Sequence, residues 1–213
     1  MDHFHTTQEE YSVIFTSGAT AALKLIADTF DFDAQNYRAG TFAYLQDNHT
    51  SILGMRELLA EKNVEITCID HKTAFEKLND LSQSDFNKVN KNNSLFVYSA
   101  QCNFSGIKYP LTWIDNIKKG NLNYFLNTKS NWYTLLDAAS FAATNELNLN
   151  NFKPDFVCIS FYKLFGYPSG LGALLVKNSS AHTLKKVYYG GGTVKVTLSS
   201  RTFHVKKDIF HER

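Results

Sequence analysis

Long apolar runs are missing from this 213-residue chain. None approaches the ~20 residues that a bilayer-spanning helix needs. The opening Met1-Asp-His-Phe-His5 has neither the basic nor the apolar stretch of a secretory leader. A dominant charge is missing too. Lys and Arg total 22 against 20 Asp and Glu, a net charge of +2, which is too small a bias to draw nucleic acid or an anionic membrane. Cysteine is scarce: Cys68, Cys102 and Cys158 form no CxxC pair and make an odd number. That excludes a disulfide framework and predicts reduced, buried thiols. The histidines have no ligand-like spacing with carboxylates or thiols, so no metal site is expected. The nucleotide-loop signatures GxGxxG and GxxxxGK[ST] are absent as well. What remains is an ordinary folded composition, 44% hydrophobic and 20% charged, expected in the cytoplasm.

Short β-branched or aromatic runs recur along the chain, at Val13–Thr16, Thr41–Leu45, Val64–Ile69, Leu95–Ser99, Tyr133–Asp137, Phe156–Ser160 and Ala173–Val176. Several are apolar throughout, as strands covered on both faces are. Helical spacing lies between them. Ala22, Leu25, Ile26 and Thr29 recur at i, i+3, i+4, i+7 within Ala19–Phe30, and Ser51–Lys62 and Leu111–Lys119 are similar. The alternation predicts an α/β fold with a largely parallel sheet. Asp80–Lys91 reads as helix end and loop, Lys118–Asn131 as an exposed Asn- and Lys-rich insertion, and Gly190–Gly192 as a turn before a polar tail.

In parallel sheets ligands bind beyond the carboxyl ends of strands, and three predicted strand ends carry polar residues. Ser17-Gly-Ala-Thr20 lies between a strand and a helix. There it is either a plain Ser/Thr helix cap or, with the first-turn N–H groups and the Thr20 hydroxyl, a phosphate cradle. Asp137 ends an apolar strand, where it either caps the next segment or accepts a charge-assisted hydrogen bond from a protonated ring nitrogen. Lys163 follows Phe156–Ser160, as a solvated strand-end charge or as an amine held for chemistry. Taken together, the cradle, the acid and the amine are what a phosphate-bearing aromatic aldehyde with a basic ring nitrogen requires, namely pyridoxal 5′-phosphate. His49, in a loop after Thr41–Leu45, is polar surface or a ring to stack on that cofactor. Cys102 beside Asn103 has no evident activating histidine and reads as a packed thiol.

The ordered set Phe15-Thr-Ser-Gly-Ala-Thr20, Asp47-Asn-His49-Thr-Ser-Ile-Leu-Gly-Met-Arg56, Ser99-Ala-Gln-Cys-Asn103, Leu136-Asp-Ala-Ala-Ser140, Ser160-Phe-Tyr-Lys163-Leu-Phe-Gly166 and Tyr189-Gly-Gly-Gly-Thr193 closely resembles one known domain. This is the aminotransferase-like domain of the molybdenum cofactor sulfurase family, a cysteine desulfurase-like branch of the class V pyridoxal-phosphate group. The resemblance runs from about Phe4 to about Val196.

It implies roles position by position. Lys163 matches the lysine that bonds to the cofactor, Asp137 the acid at the ring nitrogen, and His49 the imidazole stacked on the ring, with Lys163 and His49 as catalytic residues. Ala19, Thr20 and Ser160 match phosphate-binding positions, and Asn103 a residue near the phenolic oxygen. Ser140 stands where desulfurases carry Gln, and Tyr162 where they carry His. The implied reaction takes sulfur from L-cysteine, leaving alanine and an enzyme persulfide. In the family that sulfur goes to the molybdenum cofactor of xanthine dehydrogenase and aldehyde oxidase. None of the three cysteines matches the sulfur-carrying position.

The expected architecture is three-layer α/β, a mostly parallel sheet with helices on both faces. It would be the large domain of a type I pyridoxal-phosphate transferase, incomplete at both ends and working as a homodimer. Its core spans about 11–178, with 179–213 beginning the next segment and the molybdenum-cofactor domain lying elsewhere. Two other readings stay open. One is a catalytically incomplete fragment that keeps only the fold or the cofactor. The other is a nucleotide-binding α/β domain using Ser17–Thr20 and Gly190–Gly192.

Overall fold

A computed structural model describes residues 1–32, 39–79, 92–166 and 169–212. Seven strands form its main sheet. They are β1 (Tyr11–Thr16), β2 (Thr41–Leu45), β3 (Glu65–Ile69), β4 (Asn92–Ser99), β5 (Ser130–Asp137), β6 (Phe156–Ser160) and β7 (Gly172–Lys177), in the spatial order β1-β7-β6-β5-β4-β2-β3. β2, β3, β4, β5 and β6 run parallel, while β7 is antiparallel to both its neighbours, β1 and β6. Two reversals cancel, so β1 points the same way as β6. The carboxyl ends of β1, β2, β4, β5 and β6 therefore lie along one edge of the sheet, and β7 begins there.

The central strands are apolar throughout because both faces are covered. On β4, Leu95 and Val97 face one core while Phe96 and Tyr98 face the other; on β6, Phe156 and Cys158 oppose Val157 and Ile159. The first core is closed by α1 (Ala19–Thr29) and α2 (Thr50–Ala60), through Ala22, Leu23, Ile26, Ile52, Met55 and Leu59. The second is closed by α3 (His71–Leu78), α4 (Trp113–Lys118) and α5 (Asn121–Phe125), around the fully buried Trp113. Burying Leu23 and Ile26 in this way contributes about 1.5–3 kcal/mol each, and that anchors the end of α1 that opens on the sheet edge.

Three expectations need correcting. The stretch read as an exposed insertion over 118–131 holds α5 and the start of β5, with Leu122 and Asn123 buried. The Asn123 side chain stays inside because both its ends are bonded: it donates to Ser130 O and accepts from Ser130 N, Thr128 Oγ1 and Trp132 Nε1 at 2.9–3.1 Å. Cys102 and Cys158 are buried, but Cys68 is exposed, because β3 is an edge strand. The expectation of a polar tail places no strand after Val176, where the structure has two. β8 (Val194–Leu198) and β9 (Phe203–Lys206) pair as an antiparallel hairpin. The expectation for Asp80–Lys91 lies outside the described residues.

Candidate active site

The chain turns from β1 into α1 at Gly18, whose φ of 136° is open to glycine and costly for other residues. Gly172, the first residue of β7, pairs with Thr16 of β1 and Ser160 of β6. A Cβ on Gly172 would sit 2.6 Å from Ile159 O and 2.7 Å from Gly18 Cα. Two glycines thus let the backbones of three strand ends and a helix start crowd together. α1 has Gly18 as its N-cap and no side-chain cap. A Ser/Thr cap is therefore not what Ser17 and Thr20 provide, and the first-turn N–H groups keep their capacity for an anion.

α2 opens on the same edge. His49 is its N-cap, with ring Nδ1 accepting from Ser51 N at 3.1 Å. The preceding loop is pinned to the sheet by Asn48, which donates to Val97 O at 3.0 Å and accepts from Ser99 N at 2.7 Å. Asp47 holds it from the other side by accepting from Tyr109 Oη at 2.8 Å.

Between these helix starts and the ends of β5 and β6 lies a cleft of about 190 Å³. Of the residues singled out in the sequence, Ala19, Thr20, His49, Asn103, Asp137, Ser160 and Lys163 all line it. Ser140 does not. It sits just past the lining residue Ala139, at the start of the one-turn helix Phe141–Ala143.

Asp137 ends β5, buried, with Oδ1 accepting from Ala139 N at 3.0 Å. Burial pushes its carboxyl above the usual carboxylate range, while the Ala139 N–H, Lys163, His49 and Ser99 pull the other way. Lys163 lies on α6 (Phe161–Phe165), the short helix after β6, and reaches Asn103 Oδ1 at 3.5 Å. Ser160 Oγ is the one buried side-chain oxygen without a hydrogen-bond partner among the described residues. Such an orphan is costly unless a ligand satisfies it.

The chain matches aminotransferase class V over residues 1–211. It belongs to that family. Among curated relatives it is 47% identical to a molybdenum cofactor sulfurase of Bombyx mori, over 100% of this chain and 27% of that protein. With the molybdenum cofactor sulfurase of Homo sapiens it shares 45% identity over 99% of this chain and 24% of that protein. The chain thus spans about a quarter of the length of the curated relatives it matches. Among solved structures, a cysteine desulfurase of Thermococcus onnurineus superposes with a TM-score of 0.69 at 17% identity, covering 100% of this chain and 49% of that one. A variant of the lyase C-DES superposes at 0.70 with 14% identity, over 99% of this chain and 52% of that one. At such identities these two superpositions speak for the fold.

Sequence reasoning gave no site role to Leu23, Ser51, Ala139, Ser169 and Gly170, which also line the cleft. Leu23 and Ala139 carry no chemical signal. Ser51 does: it is a hydroxyl in the first turn of a helix that follows a strand, the same context that drew attention to Thr20. Gly190–Gly192, offered as half of a nucleotide loop, is absent from the cleft that Ser17–Thr20 line.

Proposed function

We propose that this chain is the cofactor-holding part of a pyridoxal 5′-phosphate-dependent sulfurtransferase. It would draw sulfur from L-cysteine and, in the longer proteins of the group, deliver it to the molybdenum cofactor. The observation that carries this is the meeting, in one cleft, of a buried carboxyl at Asp137, an amine at Lys163, an imidazole at His49 and the uncapped start of α1 beside the orphan Ser160 hydroxyl. These groups fit the cofactor: unspent donors suit a phosphate, and a carboxylate suits a protonated ring nitrogen. Related proteins point the same way, since they include sulfurases, cysteine desulfurases and a C-DES variant with glycine linked to its pyridoxal phosphate.

When bound, pyridoxal phosphate supplies an electrophilic carbon and an electron-accepting ring. The residues do the rest. Ala19 N–H, Thr20 Oγ1 and Ser160 Oγ hold the phosphate. Asp137 fixes the ring nitrogen, and His49 covers the ring face. Lys163 Nζ would be the amine that holds the cofactor and the base placed for the α-proton of cysteine, with Asn103 Oδ1, 3.5 Å away, to orient that amine. Ser140 is assigned no contact. A second copy is proposed to cover the exposed side chains that adjoin lining residues, Phe104, Phe165 and Leu171, giving a homodimer. The proposed location is the cytoplasm. Among the described residues, no helix is long and apolar enough to cross a membrane.

The test is direct. Pyridoxal phosphate added to the protein gives a visible absorption band, and borohydride followed by peptide mapping places the label on Lys163. A label on another lysine sinks the assignment. A second reading has its own support, since Cys68, Cys102 and Cys158 all lie outside the cleft lining. On that reading the chain binds the cofactor without turning over cysteine. Alanine released from cysteine by this chain alone would remove it.

A further inference from the structure

We infer that Ser51 is a positioning residue: its hydroxyl joins the starts of α1 and α2 by linking Thr20 to His49 Nδ1, the nitrogen that the Ser51 backbone N–H already fixes as an acceptor; this rests on the functional reading just given. Ser51 is the second residue of α2. Its Oγ lies 2.8 Å from Thr20 Oγ1 on α1 and 3.0 Å from His49 Nδ1, and its backbone N donates to the same Nδ1 at 3.1 Å.

The direction of these bonds follows from what each group can do. A backbone N–H only donates, so Nδ1 presents its lone pair. In the neutral imidazole the hydrogen then resides on Nε2. With Nδ1 an acceptor, the Ser51 hydroxyl must also donate to it, and the one hydrogen of that hydroxyl is spent. Its lone pairs accept from Thr20. In the protein without cofactor, the chain that satisfies all three groups therefore runs from Thr20 Oγ1–H to Ser51 Oγ, and from Ser51 Oγ–H to His49 Nδ1.

Thr20 and His49 are both exposed in the cleft mouth and lie on different helices. Each would otherwise sample several rotamers. Ser51 holds the two together, so the phosphate end and the ring-stacking end of the cleft are organised by one side chain that itself needs no contact with cofactor. An alanine at this position keeps the backbone N–H and the helix cap. It deletes only the hydroxyl link.

The experiment uses the 213-residue chain labelled with ¹⁵N-histidine, without cofactor, at a pH where the rings are neutral. Long-range ¹H–¹⁵N spectra report each tautomer, and His49→Gln assigns the signals. The expected wild-type state is Nε2–H. In Ser51→Ala the Nδ1 resonance moves toward that of a nitrogen accepting fewer hydrogen bonds, and Ser51→Thr restores it. Affinity for pyridoxal phosphate, measured separately, falls about five-fold in Ser51→Ala, as loss of one neutral hydrogen bond implies. A wild-type Nδ1–H tautomer, or identical Nδ1 shifts in wild type and Ser51→Ala, overturns the inference. Failure of the wild type to bind pyridoxal phosphate overturns the functional reading instead and leaves the nitrogen shifts to decide this one.

Discussion

Replacing Asp137 by asparagine separates what a buried carboxylate costs the fold from what it gives the cofactor. The wild-type carboxyl is buried at the end of β5, and burial raises its pKa despite the Ala139 N–H, Lys163, His49 and Ser99. A raised carboxyl binds more protons folded than unfolded. Stability is therefore greatest below the unfolded pKa, near ~3.9, and is lost as the pH rises through the folded value. For one proton the loss cannot exceed about 1.4 kcal/mol per pH unit. Asparagine keeps an oxygen for the Ala139 N–H, bonded at 3.0 Å, and carries no charge. Asp137→Asn should therefore be more stable than wild type at neutral pH, with the gap closing toward acid. Cofactor binding should move the opposite way. A hydrogen bond to a charged group contributes about 1.5–3 kcal/mol, so the dissociation constant for pyridoxal phosphate should rise roughly 10- to 150-fold. Urea unfolding without cofactor from about pH 4 to 7 reads the first effect, and titration of the visible absorption band reads the second. A variant less stable than wild type at neutral pH would refute the burial argument. An unchanged affinity would refute the contact with the ring nitrogen.

Other consequences are simpler to state. Asn123→Ala leaves the Ser130 N–H without its buried acceptor and the Trp132 Nε1–H with only Thr128 Oγ1 at 3.4 Å, and should cost about 2 kcal/mol in urea unfolding; a surface-like effect of about 0.5 kcal/mol or less would contradict the buried role of α5. Gly172→Ala puts a methyl within 2.6 Å of Ile159 O and 2.7 Å of Gly18 Cα. Overpacking of this kind costs about 1–3 kcal/mol, and cofactor affinity should fall with it, because the atoms that must move carry the start of α1. Titration of the native protein with a thiol reagent should modify Cys68 well before Cys158, since Cys68 is exposed while Cys158 is buried and burial raises its thiol well above the ordinary range. Rapid loss of Cys158 would indicate an opened core.

The apolar runs located all seven sheet strands within a few residues, because strands with two covered faces have few polar positions to blur them. The signal failed where burial was achieved by polar groups. Asn121, Asn123 and Ser130 look like surface in composition, yet they are buried, and for Asn123 the reason is a set of reciprocal hydrogen bonds that only the fold creates. Cys68 failed in the opposite sense. Its run is rich in β-branched residues, but β3 lies at the edge of the sheet, and strand order is not written locally in any run. The hairpin β8–β9 was legible but passed over: Val194-Lys-Val-Thr-Leu198 and Phe203-His-Val-Lys206 alternate apolar and polar residues, the strand pattern, in strands whose residues are largely exposed.

The cleft was legible for a reason that one premise alone does not supply. Gathering residues 20, 137 and 163 at one edge requires β1, β5 and β6 to share a direction, and a uniformly parallel sheet would achieve this. The sheet is not uniform: β7 runs backwards between β1 and β6. Had β1 paired with β6 in the antiparallel sense, Thr20 would lie at the far edge from Lys163. Interposing one reversed strand restores the common direction. It also brings the amino end of β7 to the cleft, which is how Ser169 and Gly170 come to line it. The close approach at Gly172 is the local condition for that insertion, since β7 must begin between Thr16 and Ser160 with no side chain in the way. Gly172, which does not itself line the cleft, thereby decides whether the start of α1 and the Lys163 amine face the same space.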